Sequence, residues 1–310
     1  MRFLFLFLFW IITIRSYSQS PTDAELMLKS EFCIAAMYHN ENWIQYWEST
    51  LLRENGNIGQ LQKSSITPVL VYGLSNGMNV ILGVNYIDAQ TTQGTVIGNR
   101  GMQDIGMHIK YNFFNVEATS FALKNFVVVG GSLPISSYNE DAGPTSIGLG
   151  CSEIYSRWIL DLSHNSGLFI RPAFAYHKRG SSTLDRYYYY DNKGYNSQFI
   201  NIPNQTVSSL TLGVRLIDKT LRIETSLSKI NTLGGSEIRR HDMPLANANM
   251  DATKWNAFLK FDPSFAKNFG FMLGYDQILN GQNVGKSTSI MIGINYRITR
   301  THEDKNSNSN

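Results

Sequence analysis

Cysteine occurs only twice, at Cys33 and Cys151, so no disulfide framework holds this chain together and the two thiols are expected to stay unbridged. Charge is sparse too: 16% of residues are charged, the net charge is +3, and no basic stripe runs through the sequence. Nucleic acid is therefore a poor fit as a partner. Beyond the N-terminus no window reaches the roughly 20 apolar residues that a membrane-spanning helix requires. The six histidines stand singly, without metal-ligand spacing, and no nucleophile, base and orienting residue are grouped. No catalytic residue, metal or cofactor is expected.

The one long apolar run, Phe3 to Ile14, follows Arg2 and precedes the small residues Ser16 and Ser18. That order is a secretory signal peptide, residues 1–18, cut before Gln19. Abundant instead are aromatic residues (17 Phe, 16 Tyr, 5 Trp) and glycine (25). Such a composition suits a β-barrel or sandwich. The mature chain is long for one sandwich, whereas a single barrel can use all of it.

Period-two patterning carries the fold. In Ser287 to Ile298 the residues Ile290, Ile292, Ile294, Tyr296 and Ile298 alternate with Ser289, Gly293, Asn295 and Arg297. Lipid outside and a wet lumen inside ask for this on every strand. Ile66 to Leu74 and Met78 to Ile87 flank the hairpin signal Asn76-Gly77. Further strands are predicted at Asp104–Phe113, Phe121–Gly131, Ser146–Asp161, Gly167–His177, Val207–Ile217, Thr220–Ile230, Thr253–Phe261 and Phe269–Ile278. Connections alternate in length: short at 75–77, 115–120, 163–166, 218–219 and 262–268, longer at 87–103, 132–145, 178–206, 231–252 and 279–286. Outer-membrane barrels alternate short periplasmic turns with long external loops, and two periplasmic termini require an even strand number.

Trp43 to Asn55, ambiguous between helix and strand, is promoted to a strand for that reason. The expectation is an all-β, transmembrane, antiparallel up-and-down barrel of about twelve strands over residues 43–298, with a polar tail at 299–310. In the segment 19–42, Ala24 to Tyr38 can form a short helix that plugs or caps the barrel, or remain a loosely held arm; both readings stay open. Cys33 would then precede the first strand, and Cys151 would lie in the outer half of a descending one. Aromatic girdles are expected at the short-turn ends (Phe113, Phe114, Phe121, Phe169, Phe261, Phe265, Phe269, Tyr296) and the long-loop ends (Tyr86, Tyr176, Trp255, Tyr275).

The stretches YGLSNGMNVILGVNY (Tyr72 to Tyr86), GMQDIGMHIKYNFF (Gly101 to Phe114) and NGQN (Asn280 to Asn283), followed by the closing IGINYRI, resemble the outer-membrane family named for the meta pathway of phenol degradation. That family is related in architecture to the long-chain fatty-acid transporters. The resemblance implies a barrel that passes small hydrophobic or aromatic compounds, and it transfers no site residues. The closing strand also resembles the signal read by the barrel-assembly machinery, although it ends on Ile298 rather than an aromatic residue.

Inward phases of the predicted strands collect Lys110, Arg157, Arg171, His177, Arg215, Arg222, Glu224, Lys260 and Arg297. They read either as a lumen biased toward anionic solutes, or as charges paired across strands, such as Arg222 or Arg215 with Glu224, that hold a wet interior together. Gly285-Lys286-Ser287 lacks the glycine and the following helix of a phosphate loop and is read as a loop. Tyr187 to Tyr190 is either a stacking surface or a hairpin extending above the membrane. The function expected is an outer-membrane channel, with outer-membrane lipid and small solutes as partners; the alternatives are a structural or adhesive barrel and an outer-membrane enzyme.

Overall fold

A computed structural model describes residues 20–95, 98–217, 220–238, 245–266 and 268–299. The expected signal peptide, residues 1–18, and the expected tail beyond Thr299 lie outside the described residues. Among the latter, twelve strands close into one barrel. They are β1 Phe32–Trp43, β2 Leu61–Ser75, β3 Met78–Thr91, β4 Gly98–Glu117, β5 Phe121–Pro134, β6 Glu153–His164, β7 Leu168–Arg179, β8 Asn204–Leu216, β9 Leu221–Leu233, β10 Asp251–Phe261, β11 Phe269–Gln282 and β12 Thr288–Ile298. Each pairs antiparallel with its barrel neighbours, and β1 closes the ring on β12 with Phe32 opposite Ile298 and Asn42 opposite Thr288.

The outward phase is predominantly apolar, with a few exposed polar positions such as Ser156, Ser208, Thr225 and Lys229. Ile290, Ile292, Ile294, Tyr296 and Ile298 are exposed, as are Ile105, Met107, Ile109 and Tyr111 on β4. In water such a surface would aggregate; in lipid it is the required coat. Closure is obligatory there, because an open sheet edge inside hydrocarbon leaves backbone groups without partners. The chain is thus a membrane-spanning barrel, and barrels of this kind belong in the bacterial outer membrane.

Two expectations need correction at the N-terminal end. Ala24 to Tyr38 is not a helix: Phe32 onward is β1, with Phe32, Ile34 and Tyr38 exposed and Cys33 and Ala35 buried. Alanine and methionine are good helix formers, but intrinsic propensity is worth only tenths of a kcal/mol per residue, and the backbone groups of β12 need a partner strand, so tertiary pairing wins. The barrel therefore starts at Phe32 rather than Trp43. Residues 43–55 instead form a hairpin, Gln45–Glu48 against Leu51–Glu54, on the long-loop side. The strand number of twelve is right, but its twelfth member is β1. On β6, the glycine-rich stretch Ser146–Ser152 folds into the loop instead of extending the strand, and Ile147 packs on Ile87 and Ala89.

The outer loops are built, not loose. Cys151, Leu184, Tyr189, Ile200 and Ile202 form an apolar cluster above the barrel. Arg186 donates to both carboxylate oxygens of Asp141 at 2.8 and 2.9 Å, and these bonds raise its already high pKa. Tyr189–Asp191 pairs with Lys193–Tyr195 as a hairpin, so the tyrosine run extends the loop; Tyr189 is buried against Tyr195 while Tyr187 is exposed. Gly285 to Ser287 is a loop, with the Lys286 amide donating to the Gln45 carbonyl at 2.7 Å.

Cys33 packs with Met27, Val71 and Ile81 near the short-turn end, far from Cys151 in the outer loops. Burial pushes the Cys151 thiol up to about 11, which leaves little thiolate at neutral pH. Mass spectrometry of unreduced protein, alkylated after unfolding, is expected to show both cysteines singly modified. A linked Cys33–Cys151 peptide would contradict this topology.

Candidate functional site

The described residues before β1 lie inside the barrel. Glu31 to Leu28 make a tight turn at the short-turn end: Ser30 has a φ of +65°, and the Leu28 amide donates to the Glu31 carboxylate at 3.0 Å. The turn is joined to the wall at Gly73, whose carbonyl accepts from the Ser30 amide (2.8 Å) and whose amide donates to the Glu31 carbonyl (3.0 Å). From there the chain climbs into the lumen. Met27 is fully buried against Val71 and Ile81, and Ala24 packs on Phe126, Ile159 and Ala173. The segment is a plug in extended and turn conformation.

Charge fastens it. Lys110, fully buried, donates to the Asp23 carboxylate and to the Ser20 carbonyl at 3.1 Å. Arg222 meets Glu25 at 2.7 Å, and Arg297 meets Glu31 at 2.9 Å. The wall carries a second network around Asp161, which accepts from Arg171 at 3.0 Å and from Arg215 at 3.4 Å. Arg171 and Arg222 share Glu224, each at 3.2 Å. Phe169 lies between Arg215 and Arg171, its ring 4.1 and 4.8 Å from their guanidinium carbons. It is therefore a lumen residue and not part of the lipid-facing girdle. Lys260 pairs with Asp262 at 2.7 Å, and His177 with Glu153 at 2.8 Å.

The plug divides the interior. On the short-turn side a vestibule of about 930 Å³ is roofed by Ala24, Glu25, Leu26 and Leu28. On the other side a chamber of about 410 Å³ has Ser20 to Asp23 as its floor. The chamber is lined by the soft apolar groups Met37, Val69, Phe258, Met272 and Met291 and by polar groups that include Arg157 and the Lys254–Asp276 pair at 3.1 Å.

No family model matches the sequence, and no curated protein does. Solved structures do. The COG4313 outer membrane channel from Pseudomonas putida F1 superposes with a TM-score of 0.71 at 11% identity, covering 91% of this chain and 100% of that one. The two chains share one outer-membrane barrel fold. More distant are the translocator domain of the autotransporter NalP from Neisseria meningitidis and the β domain of the Bordetella autotransporter BrkA. Both have a TM-score of 0.45, at 12% and 13% identity; each covers 87% of this chain, and the matches span 89% and 100% of those chains.

All nine charged candidates face the lumen, but they do not form one open charged lining. Lys110, Arg171, His177, Arg215, Arg222, Glu224, Lys260 and Arg297 are engaged in the pairs above: Arg171, Arg215, His177 and Glu224 pair across strands, Lys110, Arg222 and Arg297 pair with the plug, and Lys260 pairs with Asp262 two residues on. Arg215 finds Asp161 rather than Glu224. Sequence reading missed Asp161 although it continues the inward phase of Arg157 and Ile159. It missed Asp23, Glu25 and Glu31 because the segment before the first strand has no strand phase to turn them toward the lumen.

The close approach of plug and wall yields a prediction. A Cβ on Gly73 would sit 2.0 Å from the Leu28 carbonyl oxygen, a backbone atom that cannot turn aside. Gly73→Ala is expected to dislodge the plug turn while the barrel still folds. Limited proteolysis should then cut within residues 20–31 severalfold faster than in wild type, with unchanged heat-modifiable migration of the barrel.

Proposed function

We propose that this chain is an outer-membrane channel for small hydrophobic or aromatic compounds, anionic ones included, exported by its first eighteen residues and delivered to the assembly machinery by β12. The observation that carries the reading is the chamber, held above a charge-fastened plug and walled by methionine and phenylalanine. Its size is that of a small-ligand site, and flexible thioethers accept ligands of varied shape. The resemblance of Tyr72 to Tyr86 and of the closing strand to the phenol-degradation barrels supports the same class of solute. The paired state of the lumen cations weakens a general anion bias and favours small apolar bodies over bulk ions.

The test compares uptake of aromatic acids, fatty acids and neutral sugars by cells with and without the gene. The expected result is loss of the aromatic and fatty compounds on deletion, with sugars unaffected. Unchanged uptake of every class would favour the adhesive alternative, to which the self-packed outer loops and the exposed Tyr187, Tyr188 and Phe199 lend some support.

A further inference from the structure

We propose that the chamber recognises a carboxylate on an apolar body, and that Arg157 is the residue that binds it. Arg157 is the lumen candidate with no carboxylate partner among the described residues, and the register explains why. Its neighbours across β5 and β7 are Val128 and Ala175, neither of which can pair with it. Its guanidinium carbon lies 6.0 Å from the Tyr155 ring centre; the group hydrogen-bonds the Tyr155 hydroxyl, but its Nε is buried without an acceptor.

The surroundings repeat the deficit. His108, Gly130, Tyr155 and His177 form one row across β4 to β7, with Tyr155 stacked on His177 and edge-on to His108. A Cβ on Gly130 would meet His108 Nδ1 at 2.1 Å, so glycine there lets the His108 ring lie across β5. His108 Nδ1 and His177 Nε2 are likewise buried without partners. Buried polar groups normally find partners, and the Arg157 Nε at the chamber wall, which can only donate, invites an acceptor from a ligand.

The carboxylates that line the chamber cannot fill that role, since Asp23 is held by Lys110, Glu224 by Arg171 and Arg222, and Asp276 by Lys254. A planar guanidinium matches a carboxylate in charge and shape. Met272, Met291 and Phe258 supply the apolar wall for the rest of the molecule. The ligand class is therefore a singly charged amphipathic carboxylic acid.

This inference rests on the channel reading, and the experiment separates the two. Protein in lipid nanodiscs is titrated calorimetrically with octanoate and with 1-octanol at neutral pH, empty nanodiscs serving as the reference. Wild type is expected to bind octanoate about tenfold more tightly than octanol, the scale of one charge-assisted contact. Arg157→Gln should bind both alike, and Arg157→Lys should keep part of the preference. Equal binding of acid and alcohol by wild type, or a preference that survives Arg157→Gln, overturns carboxylate recognition and leaves the channel reading standing. Binding of neither overturns both. If Arg157→Gln does not reach the heat-modifiable folded form, the wild-type comparison and Arg157→Lys decide.

Discussion

Deleting Ser20 to Glu31 is expected to turn a nearly closed barrel into an open pore that prefers anions. The described part of this segment separates the vestibule from the chamber, so its loss joins the two along the lumen. Twelve strands enclose a lumen wider than the filled eight-stranded barrels and narrower than the open porins. The deletion also takes away Asp23, Glu25 and Glu31, the carboxylates that Lys110, Arg222 and Arg297 hold, along with one exposed ammonium, Lys29. Positive charge in a narrow, low-dielectric passage raises the local anion concentration. In planar bilayers under a salt gradient, single-channel conductance should rise severalfold and the reversal potential should move to the anion side. A deletion variant that conducts like wild type would show that residues 20–31 are not what closes the lumen.

Asp161→Ala is expected to be the most destabilising single substitution in the wall. Asp161 is 1% exposed and receives two guanidiniums, Arg171 at 3.0 Å and Arg215 at 3.4 Å. Truncation leaves buried positive charge without its counterion, and breaking a buried pair in this way costs about 3–5 kcal/mol. Glu224 still reaches Arg171, which sets the effect toward the lower end of that range. Urea unfolding of the reconstituted barrel, followed by heat-modifiable migration, measures it. Arg53→Gln, which breaks the partly exposed pair with Glu48 in the outer hairpin, is the control and should cost no more than about 1 kcal/mol. Equal effects would mean that the Asp161 network is as well solvated as the surface.

The barrel was legible because lipid imposes a rule on one face. Most residues turned outward are apolar, so Ile290, Ile292 and Ile294, or Ile105, Met107 and Ile109, declare their strands at period two. The alternating lengths of the connections then fix an up-and-down order. The same rule was overlooked in Phe32 to Tyr38, where alanine and methionine suggested a helix although Phe32, Ile34 and Tyr38 already alternate.

The inward face is different, since water, plug and paired charges are all tolerated there and the local pattern says only that a residue points inward. Which cation meets which anion depends on strand register and on chain returning from far away: Arg297 meets Glu31 at the opposite end of the sequence, and Arg215 reaches Asp161 rather than Glu224. Arg157 is set apart only by what lies beside it, Val128 and Ala175 on neighbouring strands. The sequence alone determined the barrel, eleven of its twelve strands and its lipid coat, because a single solvent acts on nearly every outward residue alike. The plug, the charge pairs and the chamber were decided by tertiary structure, because they depend on which distant residues the closed ring brings within hydrogen-bond reach.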